Sequence, residues 1–171
     1  MASNNGGHGI DANNDETVQR CTATLNRIGG ITVQNRSQVM NCVADNNGQG
    51  SGGSGISAAT RGFIKQCSAI GNRLNGIVVA GESIVAENRA SANGQGAAAA
   101  GIRTTGSGSR IEANQTRDNI GYGIQADPGD IVLRNSAGNN TVLNFSPPSG
   151  TNIGPIQSPS TATNPFANIQ F

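Results

Sequence analysis

Apolar residues along this chain recur at just over twenty residues, a far longer period than that of a helix or a single strand. A Gly-Ile pair appears six times, at Gly9-Ile10, Gly30-Ile31, Gly55-Ile56, Gly76-Ile77, Gly101-Ile102 and Gly123-Ile124, in steps of 21, 25, 21, 25 and 22 residues. A second apolar column follows each pair by eight or nine residues: Val18, Val39, Ile64, Val85, Ile111 and Val132. Three residues on stands a column of Cys21, Cys42, Cys67, Asn88, Asn114 and Asn135. Two further on the residues are small: Ala23, Ala44, Ala69, Ala90, Thr116 and Ala137. A last column is unbroken Asn: Asn26, Asn47, Asn72, Asn93, Asn119 and Asn140. Within each unit the β-branched pieces are short and end in Gly, Asn or Ser, which predicts strands of three to five residues joined by bends. One such unit cannot bury its own apolar face, whereas stacked units set Ile over Ile and Val over Val along one core. At the inter-strand spacing of about 4.8 Å, six stacked coils make a rod of roughly 29 Å.

The pattern "GI…V..C/N.A..N…GI" resembles the right-handed parallel β-helix of the pectate-lyase-like solenoids, over about residues 7–145. The resemblance implies an all-β fold of about six coils. Ile10 and its equivalents lie on the first strand, Val18 and its equivalents on the second, and the Cys/Asn column at the inward bend between second and third. The small residues fall on the third strand, and the last Asn column opens the turn to the next coil. The expected organisation is a lead-in over 1–8, a β-helix over 9–145 and a Pro/Ser/Thr-rich arm or cap over 146–171.

Stacked Asn side chains can hydrogen-bond to one another and to the bend backbone, so both Asn columns read as ladders. Cys21, Cys42 and Cys67 are the only cysteines. Their odd count and spacing fit neither a disulfide framework nor a zinc site, and in register they read as small buried thiols. The glycines of the Gly-Ile pairs are expected to permit a tight turn into the first strand. The units also alternate: the two longer gaps both begin Asn-Gly-Gln-Gly, at Asn47 and at Asn93, and should project from one edge two coils apart. The tail "SPPSGTNIGPIQSPSTATNP" is too rich in Pro to continue the coils. It ends with Ala167, Ile169 and Phe171 alternating as on a strand, and with Phe166 it is expected to cap the rod, pack along it or exchange onto a neighbour.

Composition narrows the function. Net charge is +1 and charged residues are 12 % of the chain, so no basic face for nucleic acid is implied. No apolar run is long enough to span a membrane, and Met1–Gly7 does not read as a signal peptide. Enzymes of the resembled fold act on acidic polysaccharides through carboxylates and bases on the first-strand face. Here the outward column on that face is Asp11, Thr32, Ser57, Val78, Arg103 and Gln125, followed two residues later by Asn13, Gln34, Ala59, Ala80, Thr105 and Asp127. Asp11 and Asp127 are five coils apart, about 24 Å, whereas paired carboxyls need about 5–9.5 Å. Gly7-His8-Gly9 resembles a polygalacturonase motif without its partner motifs. Tyr122-Gly123 with Asp127-Pro128 resembles, more loosely, a motif of alginate epimerases, and makes Tyr122, Asp127 and Arg103 the candidate catalytic group. Asp127 and Asp130 could face a calcium ion but lack a third carboxylate. No cofactor or metal is expected. Ala58, Ala59, Val78, Val79 and Ala80 read as a smooth uncharged patch suited to self-association. These features point to a non-catalytic β-solenoid scaffold or adhesive module, homo-oligomeric, with polysaccharide as a further candidate partner and a lyase or epimerase as the alternative. The resemblance places it in a secreted or cell-surface protein.

Overall fold

The computed structural model describes residues 1–50, 52–95 and 99–171. Every strand is parallel to its neighbours, and three sheets run the length of the rod. The first sheet is built from Ile10–Ala12, Ile31–Val33, Ile56–Ala58, Ile77–Val79, Ala99–Thr104, Gly121–Gln125 and Leu143–Ser146. The second is built from Thr17–Gln19, Gln38–Met40, Phe63–Lys65, Ile84–Ala86, Arg110–Glu112, Ile131–Leu133 and Asn152–Ile153. The third contains Ala2–Ser3, Thr22–Thr24, Val43–Asp45, Ser68–Ile70, Arg89–Ser91, Gln115–Arg117, Ser136–Gly138, Asn168–Gln170 and Ile156–Gln157, in that spatial order.

The register follows the sequence columns. Ile31 pairs with Ile56, Val39 with Ile64 and Ala44 with Ala69. The Ile column from Ile31 onward, the Val/Ile column and the Ala column are buried and form one continuous core. The outward column Asp11, Thr32, Ser57, Val78, Arg103, Gln125 is also in register. Of the expected smooth patch, Ala58 and Val79 point inward and belong to the core, because alternation along a three-residue strand buries its first and third residues. Ala59, Val78 and Ala80 remain outside it.

Each bend repeats one device. The residue before a ladder position has a left-handed backbone, as at Asp15, Arg20 and Leu25 in one coil and Arg36, Asn41 and Asn46 in the next. That conformation costs an L-residue about 1–2 kcal/mol, and among the described residues no β-branched one occupies it. The following side chain turns inward and accepts the backbone N–H of the coil before. In the outer ladder, the N–H and Nδ2 of Asn72 both donate to Oδ1 of Asn93 at 3.0 Å, and Nδ2 also donates to the carbonyl of Ala44. The same pattern joins Asn47 to Asn72 and Asn93 to Asn119. Asn5 extends the column at one end and Asn144 at the other.

The glycines of the Gly-Ile pairs do not serve a left-handed turn, since none has positive φ. They are there for close packing: a Cβ on Gly76 would lie 2.7 Å from Nδ2 of Asn93 and 2.6 Å from the carbonyl oxygen of Gly101.

The expected six coils become seven. The tail forms an irregular last coil in which Asn152–Ile153 pairs with Ile131–Val132, and Ile169–Gln170 with Ser136–Ala137. Its Pro-rich stretches occupy the turns, so they do not interrupt the pairing. The final strand lies between Ser136–Gly138 and the earlier strand Ile156–Gln157. The two long turns pass through Ser51 and residues 96–98, which lie outside the described residues, as does the expectation about their projection.

Candidate functional site

On the first sheet, Tyr122 sits half-buried between Ala100 and Leu143, and Arg103 is exposed beside Gln125. Asp127 lies just past the end of the Gly121–Gln125 strand. Five residues separate Tyr122 from Asp127 along the strand direction, about 16 Å at the usual rise. Arg103 and Asp127 are one coil and two residues apart, about 8 Å between their backbones. The register therefore brings Arg103 near Asp127 and leaves Tyr122 toward the other end of the strand. His8 sits on the opposite end of the rod, its Nδ1 3.0 Å from Oγ1 of Thr32.

The backbone of Asp127 is fixed from both sides. Its N–H donates to Oγ1 of Thr104 at 2.8 Å and to the Asp130 carboxylate at 2.9 Å, and its carbonyl accepts from Oγ1 of Thr151. Asp130 is fully buried. Besides that N–H, its carboxylate accepts the Thr104 hydroxyl at 2.6 Å and the Ser109 N–H at 2.7 Å. Asp130 ends a third ladder, at the bend between the first and second sheets, in which Glu16 donates its N–H to Ser37, Gly62 to Ser83 and Ser83 to Ser109. The sequence columns do not reveal this ladder, because its acceptor changes from a hydroxyl to a carboxylate. Three donors on one buried carboxylate give Asp130 a structural task, in place of the calcium-facing one considered with Asp127. Among the described residues no three His, Cys, Asp or Glu side chains come together to hold a metal ion.

A second locus lies over the bend between the second and third sheets. A groove of about 560 Å³ runs there along the rod axis. One wall carries the left-handed bend residues Asn41, Gln66 and Glu87, the other carries Val43, Ser68 and Arg89, and Cys42, Cys67 and Asn88 lie between them. Glu87 is held by Lys65 at 3.0 Å and by Nε2 of Gln66 at 2.9 Å. Below the groove the cysteines replace Asn in the inner ladder. The N–H of Cys21 donates to Sγ of Cys42, and that of Cys42 to Sγ of Cys67, each at 3.4 Å. The N–H of Cys67 meets Oδ1 of Asn88 at 2.8 Å, and Asn ladder bonds continue through Asn114 and Asn135 to Asn168. All three thiols are free. Contact with the Cys42 thiol, reinforced by burial, pushes the Cys67 thiol above its ordinary value.

At the C-terminal end, the Phe166 ring lies 4.9 Å beneath the Arg134 guanidinium and Phe171 lies 5.9 Å from that of Arg117. Ile169 is half-buried on the final strand, and both phenylalanines stay exposed. Asn168, which the sequence columns miss, is buried and completes the inner ladder.

No protein-family model matches the chain, and no curated protein does. Among solved structures it is similar to pectate lyase Pel9A, with a TM-score of 0.70 at 16 % identity, over 88 % of this chain and 50 % of the lyase. The chain thus spans half the length of that enzyme, and the likeness is one of fold. A second structure, QnrB1, a plasmid-mediated fluoroquinolone resistance protein, aligns over 84 % of this chain and 92 % of its own with a TM-score of 0.30 at 11 % identity, too low to bear on the argument. The chain is a parallel β-helix repeat protein with a pectate-lyase-like fold.

Proposed function

We propose that the chain is a non-catalytic β-solenoid scaffold that associates with copies of itself through its C-terminal coil. One observation supports this reading: five large apolar side chains in and beside that coil are left in solvent. Val142, Leu143, Ile156, Phe166 and Phe171 are all exposed, Leu143 at 53 % and Phe171 at 59 %. Scattered apolar residues are normal on a surface, whereas a group at the open end of three parallel sheets is a place for another chain. In this reading the module belongs to a secreted or surface-attached protein. Light scattering on the full chain and on a Leu143→Ser, Phe171→Ser variant tests it. An oligomer that becomes a monomer in the variant supports the reading, and a monomer for both sinks it.

The alternative, a lyase or epimerase acting on an acidic glycan, is favoured by the nearness of Arg103 and Asp127 on the face where enzymes of this fold work. Turnover of alginate or pectin that Asp127→Ala and Arg103→Ala each abolish supports it. Turnover that survives both removes this site.

A further inference from the structure

We propose that the groove over the bend between the second and third sheets binds a neutral β-1,4-linked polysaccharide, laid along the rod axis with one sugar ring per coil. The groove lies apart from the C-terminal coil and from the Arg103–Asp127 face, so what binds there is independent of self-association and of turnover. Its lining repeats with the coils: Asn41, Gln66 and Glu87 follow one another on one wall, and Ser68, Arg89 and Gln115 on the other. Ser68 pairs with Arg89, and Arg89 with Gln115, so the second wall offers a polar side chain at each rung, about 4.8 Å apart. From Asn41 to Ala113 the groove covers four rungs, about 14 Å between the first and the last. A β-1,4-linked pyranose chain is straight and advances by nearly one rung per ring, so its hydroxyls meet the same pair of walls again at each coil. The volume of about 560 Å³ is enough for a trisaccharide.

The chemistry of the walls selects among chains. A sugar hydroxyl both donates and accepts, and so do the side chains of Asn41, Gln66, Ser68 and Gln115. Among the described residues, Asn41, Ser68, Arg89 and Gln115 make no side-chain hydrogen bond within the protein, so bonds to a ligand displace only water. Glu87 is held by Lys65 and by Nε2 of Gln66, which orders the middle of the first wall before anything binds. Its carboxylate also sets the charge preference. A uronate chain brings an anion to each rung, that of Glu87 included, and Arg89 is the one cation among the described lining residues. A neutral chain escapes that repulsion and still gives Arg89 hydroxyls to donate to. A peptide strand is a poor occupant, because Val43, Ser68, Arg89 and Gln115 are already paired within the third sheet and leave its backbone no edge to join. No aromatic side chain is among the described lining residues, so rings are held by hydrogen bonds and affinity must accumulate over several rungs.

The test is a heteronuclear NMR titration of the full chain with glucose, cellobiose, cellotriose and cellohexaose, with trigalacturonate as the acidic comparison. Arg89→Ala and Gln115→Ala are the informative variants, because both side chains are exposed and their removal leaves the ladders bonded. Circular dichroism checks that they fold. The expected result is shift changes on the amides of Gln66, Cys67, Ser68, Glu87 and Arg89. Affinity should rise at least about 10-fold from glucose to cellotriose and little beyond, and should fall about 10-fold in Arg89→Ala and by less in Gln115→Ala. No binding of cellohexaose, shift changes confined to the first-sheet face, tighter binding of trigalacturonate than of cellotriose, or unchanged affinity in Arg89→Ala overturns the proposal.

Discussion

Replacing Asn72 by Ala tests whether the ladders carry the stability of the rod. The Asn72 side chain accepts the N–H and one Nδ2 proton of Asn47, and donates to Ala44 and Asn93, all at 3.0 Å and all buried. Alanine leaves the buried N–H of Asn47 without an acceptor and unpairs one of its two Nδ2 protons, the other staying on the Ala23 carbonyl. Each orphaned group costs about 1–3 kcal/mol, so the expected loss is about 2–6 kcal/mol. A domain is stable by only about 5–15 kcal/mol, so one such change removes a large share. Gln38→Ala, on the exposed face of the second sheet, is the control and should stay within about 0.5 kcal/mol. Equilibrium urea unfolding followed by circular dichroism reads both, with an unchanged m-value showing that the unfolding unit is the same. A loss under about 1 kcal/mol in Asn72→Ala would mean that water or a local shift replaces the lost acceptor, and the ladder argument fails.

Three further outcomes follow from single contacts. Gly76→Ala should destabilise by about 2 kcal/mol or more in the same urea assay, because its Cβ would press on Nδ2 of Asn93 at 2.7 Å and on the Gly101 carbonyl. Thr116 stands where the column otherwise has Ala, and its buried hydroxyl has no hydrogen-bond partner among the described residues. Thr116→Val should therefore raise stability, by about 1 kcal/mol, and a lower urea midpoint would show that the hydroxyl is satisfied after all. Hydrogen bonding by Arg110, with the charges of Arg110 and Arg134 beside it, holds the Glu112 carboxyl below its usual range. A folded value below the unfolded one gives stability that is present above the unfolded value and is lost as pH falls through the folded one. Stability of the native chain should thus decline more steeply in acid than that of Glu112→Gln, and parallel acid limbs would refute the pairing.

The columns of repeated residues made the sheets, their register and two ladders legible, because a solenoid reuses one position in every coil. What they missed was either chemically mixed or out of period. The third ladder mixes Ser37, Ser83, Ser109 and Asp130, alike only in offering an acceptor at the same bend. The Gly-Ile glycines were visible but their reason was not, since a clash with Asn93 is a contact between coils and not a property of a turn. Tyr122 and Asp127 looked like one motif because they are close in sequence, and strand rise separates them. The last coil hid for a topological reason. Asn135 meets Asn168 after 33 residues, not the 21 or 26 of the coils before, because the chain first lays down Ile156–Gln157 and then returns. The returning strand pairs with Ser136–Ala137 on one side and Ile156–Gln157 on the other. The earlier strand has no other partner in the sheet among the described residues, so it can join only once Asn168–Gln170 is in place. Pairing of that coil in the third sheet is therefore decided by Asn168–Gln170, which lies outside the period that announces the other strands.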